Sequence, residues 1–138
     1  MVSQYGIQLT NTPDSVIEDN ELDATGSWSG IVVQAKHETG SDVNMSNIEV
    51  IGNKVSGTLG TNEYSRAAVH ILAHAEGSGT AVLNDVTIEG NEITTDEAYP
   101  HLYVQAYVKE GASGGATITN VTVKKNSLKA LKNDSVSG

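Results

Sequence analysis

A nine-residue phrase is written four times along this chain, and it constrains the fold more than any other feature. Asp85-Val86-Thr87-Ile88-Glu89-Gly90-Asn91-Glu92-Ile93 recurs as Asn47 to Val55, as Asn120 to Leu128 and, more loosely, as Asp14 to Leu22. The shared skeleton is apolar-x-apolar-x-x-Asn-x-apolar. Its asparagines are Asn20, Asn53, Asn91 and Asn126, at intervals of 33, 38 and 35 residues. A period of this size means stacked supersecondary units sharing one continuous core.

Each phrase follows a second apolar alternation. Gly30-Ile31-Val32-Val33-Gln34-Ala35-Lys36 aligns with Ala68 to His74 and with His101 to Tyr107, and Gly6 to Thr10 is a shorter copy. Gly30 precedes Asn53 by 23 residues, Ala68 precedes Asn91 by 23, and His101 precedes Asn126 by 25. Period-2 alternation gives each strand an inner and an outer face. The inner columns of the first strand are then Ile7/Ile31/Val69/Leu102, Leu9/Val33/Ile71/Val104 and Ala35/Ala73/Ala106. Those of the phrase are Ile48/Val86/Val121, Ile17/Val50/Ile88/Val123 and, past the asparagine, Leu22/Val55/Ile93/Leu128. An inward asparagine at a corner can bond turn backbone and the asparagine of the next coil, satisfying polar groups that a sharp bend would strand inside.

Composition agrees with narrow stacked strands. Val, Ile, Thr, Gly, Ser and Asn are plentiful, Phe is absent, and Pro13 and Pro100 lie outside the phrases; this mixture favours strand over helix. Net charge is −9, from 8 Lys+Arg against 17 Asp+Glu. That disfavours nucleic acid, whose partners need a basic face, and docking to anionic membranes. With no cysteine, disulfides, thiolate metal sites and cysteine nucleophiles are excluded. The expectation is one all-β parallel β-helix domain over residues 1–138, with tails at 1–5 and 132–138. The repeat runs nearly to both ends, so it reads as a fragment of a longer protein.

The phrase is also the strand signature of leucine-rich repeats, but there the other half of each repeat is a helix or an extended convex segment, and the core is leucine-dominated. Here the other half is an alternating strand and the core is Val/Ile-rich. The phrase, with Asn53-Lys54-Val55-Ser56-Gly57 and Asn91-Glu92-Ile93-Thr94-Thr95 reading as asparagine corner and third strand, resembles the short repeat of the pectate-lyase-like right-handed parallel β-helix superfamily. The resemblance covers residues 6 to 131. It implies a solenoid of about four coils and a function among polysaccharide lyases, glycoside hydrolases, epimerases, esterases and phage tail spikes. Fold alone does not choose between these.

The resemblance places sites on the outer face of the first sheet and its bordering loops. The matching columns are Gln8/Val32/His70/Tyr103, Thr10/Gln34/Leu72/Gln105 and Lys36/His74/Tyr107, with rungs about 4.8 Å apart. His37, Glu38, Glu76 and Glu110 fall near the strand ends. Trp28, Tyr64 and Tyr99 lie where the chain enters the first strand, where rings can stack on sugars or fold over the coil edge. Three functions follow as expectations. The first is carbohydrate recognition outside the cell or on a virion, through Gln34, His70, His74, Tyr103, Gln105 and Tyr107. The second is a lyase or epimerase of acidic polysaccharide, with Lys36 steadying the uronate carboxylate and His74 or Tyr107 moving the proton; an acidic chain, however, attracts an acidic polymer poorly. The third is a structural spacer whose coil ends are buried in a homo-oligomer, a trimer by resemblance to tail spikes. No metal or cofactor is expected: the outer columns hold no carboxylate cluster, and His70 and His74, four residues apart on one strand, stand about 13 Å apart.

Overall fold

The computed structural model describes residues 4–37, 41–61, 67–96 and 99–131. Among these the chain is all strand and turn. In chain order the strands are β1 Tyr5–Thr10, β2 Ser15–Glu18, β3 Glu21–Asp23, β4 Ser29–His37, β5 Val43–Ile51, β6 Lys54–Gly57, β7 Val69–Ala75, β8 Ala81–Glu89, β9 Glu92–Thr95, β10 Leu102–Val108, β11 Ala116–Lys124 and β12 Ser127–Ala130. They form three parallel four-stranded sheets, β1-β4-β7-β10, β2-β5-β8-β11 and β3-β6-β9-β12. Successive coils therefore add one strand to each sheet, which is a parallel β-solenoid.

The register follows the alternation in the sequence. Ile7 pairs with Ile31, Ile31 with Val69 and Val69 with Leu102. Val50 lies between Ile17 and Ile88, and Val55 between Leu22 and Ile93. Like stacks on like, and Ile31, Val33, Ile48, Val50, Ile71, Val86, Ile88 and Ile93 are fully sealed. Leu59 and Met45 complete this core.

The middle sheet starts earlier than the phrase. β5, β8 and β11 are nine residues long and bury Met45 and Leu83 above Ile118. Between Met45 and Ile48 the alternation is out of step by one. Asn47 absorbs the difference by adopting φ 58°, as do Asp14, Asp85 and Asn120 at 53°, 56° and 53°. A second left-handed column, Asp19, Gly52, Gly90 and Lys125, turns the chain into the corner. Asn, Asp and Gly enter this region most readily, which accounts for these residue types at the first and sixth places of the phrase in every coil but the last, where Lys125 takes the sixth.

At the corner itself the asparagines form a ladder. Asn91 Oδ1 accepts from Asn53 N–H at 2.9 Å and from Asn53 Nδ2 at 3.0 Å. Asn53 Oδ1 does the same for Asn20, and Asn126 Oδ1 for Asn91. The other amide protons of Asn53, Asn91 and Asn126 reach back to the carbonyls of Ile17, Val50 and Ile88, each at 2.9 Å. Asn53 and Asn91 are buried, so the ladder supplies partners to backbone groups that water does not reach.

Removing one buried rung strands several groups at once. Asn91→Leu would leave Asn53 N–H and Val50 C=O without partners, and each such group costs about 1–3 kcal/mol. Urea denaturation followed by circular dichroism should show a loss of roughly 3–5 kcal/mol. Asn126→Ala, at the more open end, should cost roughly half as much.

Candidate functional site

The outer face of the first sheet carries the three columns that the sequence placed there. Val32 pairs with His70 and His70 with Tyr103; Gln34 with Leu72 and Leu72 with Gln105; Lys36 with His74 and His74 with Tyr107. Gln8 and Thr10 continue the first two columns on β1. A groove of about 420 Å³ runs over this face, lined by Tyr5, Ser29, Val32, Gln34, Lys36, His70, Leu72, His74, Gln105 and Tyr107.

The groove has a floor and a rim. Val32 and His70 are buried, while Tyr107 is 41% exposed. Gln34, Lys36, Leu72, His74 and Gln105 are half-buried between them. The imidazole of His70 lies 3.1 Å from Gln105 Oε1 and meets the Tyr103 ring edge-on, centroids 5.3 Å apart. Tyr103 thus packs beside His70 and, contrary to the expectation, does not line the groove. Gln34 Nε2 donates to Thr10 Oγ1 at 3.0 Å. Both glutamine amides are held, which orients their remaining hydrogen-bonding capacity.

In the third column His74 sits between Lys36 and Tyr107. Its ring meets that of Tyr107 edge-on at 4.9 Å, and its Nε2 lies 3.3 Å from Glu76 Oε1. Lysine, imidazole and phenol therefore occupy one end of the groove, within two rungs, with the Glu76 carboxylate beside the imidazole.

Two lining residues escape the alternation. Gly30 and Ile31 N–H groups both donate to Ala68 C=O, at 2.9 and 3.0 Å, and Trp28 and Ser29 N–H groups both approach Gln4 C=O. This bulge reverses the facing of the strand entrance. It turns Gly6 and Gly30 inward and leaves Tyr5 and Ser29 lining the groove. A Cβ on Gly30 would lie 2.6 Å from Val55 Cγ1, so the bulge requires glycine there. The legible signal was the recurrence of glycine at positions 6 and 30 against Ala68. Tyr5 also packs edge-on against Trp28, centroids 5.8 Å apart.

The remaining sequence candidates lie elsewhere. His37 is the last residue of β4, is buried, and accepts from Gly79 N–H through Nε2 at 2.9 Å. Its proton therefore sits on Nδ1, and its role is to pin the loop after β7. Tyr99 packs against the core, and Glu110 is exposed away from the groove. Glu38 and Tyr64 lie outside the described residues. Among the described residues no group of three His, Asp or Glu side chains could hold a metal ion, and no helix is long and apolar enough to cross a membrane.

No protein-family model, curated protein or solved structure matches this chain.

The loop bordering the groove is also pinned by Asp42, whose Oδ1 accepts from Thr80 N–H at 2.8 Å. That hydrogen bond, with help from the Thr80 hydroxyl, holds the Asp42 carboxyl below its ordinary value of 3.8. A lowered folded-state pKa gives stabilisation that is present above 3.8 and lost as pH falls through the folded value. The Thr80 amide resonance should titrate with a midpoint below 3.8. Asp42→Asn should abolish that inflection in an NMR pH series.

Proposed function

We propose that this chain recognises carbohydrate along the outer face of its first sheet, outside the cell or on a virion surface. The observation that carries the reading is the groove itself. It combines the held amides of Gln34 and Gln105 with the exposed ring of Tyr107 and the cation of Lys36. Amides and imidazoles match sugar hydroxyls as donors and acceptors. Aromatic rings take the apolar faces of sugars. Rungs about 4.8 Å apart form a linear track suited to a polymer.

The test is a glycan array that includes acidic bacterial polysaccharides, run with the folded chain. A specific hit is expected, weakened about tenfold by Tyr107→Ala, equivalent to about 1.4 kcal/mol. His70→Ala should weaken it too, by releasing Gln105. A blank array from folded protein would contradict the reading.

A second reading, a lyase or epimerase of acidic polysaccharide, is favoured by the Glu76 carboxylate 3.3 Å from His74. In it, His74 or Tyr107 removes the proton next to a uronate carboxylate, and Lys36 stabilises the resulting enolate. In a lyase the enolate expels the glycosidic oxygen on the neighbouring carbon, which the other of the two side chains protonates, leaving an unsaturated uronate end; in an epimerase that side chain returns a proton to the opposite face of the same carbon. His74→Ala should abolish either product.

A further inference from the structure

We propose that copies of this chain stack head to tail, the first coil of one seated on the last coil of the next, to form an open filament. Among the described residues, the end strands of all three sheets pair on one side only. β1, β2 and β3 are the outermost strands at one end, and β10, β11 and β12 at the other. The last coil leaves inner-column residues uncovered, with Val104, Val123 and Leu128 at 40%, 49% and 48% exposure. Open edges of this kind template the addition of another strand.

The two ends complement each other position by position. Continuing the register one step past the last coil sets Leu9 on Val104, Ile17 on Val123 and Leu22 on Leu128, extending the columns already in the molecule. The asparagine ladder has matching polarity. Each coil donates from its asparagine N–H and Nδ2 to the Oδ1 of the following coil. That pattern leaves one acceptor, Asn20 Oδ1, facing out of the first coil, and the donors of Asn126 facing out of the last. The next copy brings them together.

Charge follows the same register. Residues 4–25 contain Asp14, Glu18, Asp19, Glu21 and Asp23 and neither lysine nor arginine. The last coil carries Lys124, Lys125 and Lys129. One step of register places Glu18 on Lys124 and Asp23 on Lys129. Asp19 and Lys125 occupy the same left-handed column and meet as well. Within the chain Lys124 and Lys125 already approach Glu89, each at 3.7 Å, but are 52% and 77% exposed and remain open to a second carboxylate. Like ends, by contrast, set acid against acid or lysine against lysine. A contact between two different surfaces propagates into an open filament and gives no closed trimer unless its rotation closes.

Sedimentation velocity at low ionic strength tests this. The mass of the wild-type chain should rise with concentration without a fixed limit and fall when salt is added. Two double variants separate the ends: Lys124→Glu/Lys125→Glu, and Glu18→Lys/Asp19→Lys. Each alone should remain monomeric, because like charges then face each other at the 18–124 and 19–125 contacts. An equimolar mixture should assemble again into alternating chains, which only folded protein can do. A wild-type chain that is monomeric at every concentration overturns the proposal. So does one that stops at a closed trimer, or association that both variants retain. A mixture that stays monomeric, from variants with the wild-type strand spectrum, would also overturn it.

Discussion

Everything in this molecule depends on repeating one buried corner in register. The polypeptide turns sharply at each asparagine, and such a turn strands backbone groups inside a dry core. Asn53 and Asn91 each answer this with one side chain, accepting from the asparagine of the preceding coil and donating to its strand carbonyl. The solution works only if every coil brings the same residue to the same height. Register at the corner therefore fixes register in all three sheets. Differences in coil length fall away from the corner, in the connections and in the short β2 of the first coil.

Fixed register also frees the outer face for function. The core needs only the inward columns, so the outward ones can change without disturbing the stack. Glutamine, histidine, lysine and tyrosine can accumulate there at regular steps, on strands locked from below by Val33, Ile71 and Ala73. Rigid strands position side chains more accurately than loops do. The His74–Tyr107 and His70–Tyr103 edge contacts are direct products of the pairing between β7 and β10. The loops beside the groove are held too, through His37 and Asp42.

The sequence made the columns legible because each holds apolar residues at nearly every rung, and a two-residue period admits few alternatives. The asparagine ladder was legible from spacing alone. What stayed hidden were the places where the period breaks. The bulge opposite Ala68 turned Tyr5 and Ser29 into the groove. The left-handed residues at Asn47, Asp85 and Asn120 joined Met45, Leu83 and Ile118 to the core. Burial of His70 was hidden for another reason, since it depends on cover from Tyr103 and Gln105 one coil away. The acidic first coil and the lysines of the last are visible in the sequence only as charge. They become partners only once the register sets Glu18 and Lys124 in one column.

The most direct test of the ladder is native-state amide hydrogen exchange at the corners. The backbone N–H groups of Asn53 and Asn91 are not in strands, yet each donates to a buried side-chain oxygen. They should exchange as slowly as core-strand amides such as Val50 and Ile88, only through global or whole-coil unfolding. Exchange of Asn53 and Asn91 at the rate of exposed turn amides, while Val50 and Ile88 stay protected, would contradict a fold held together at its asparagine corners.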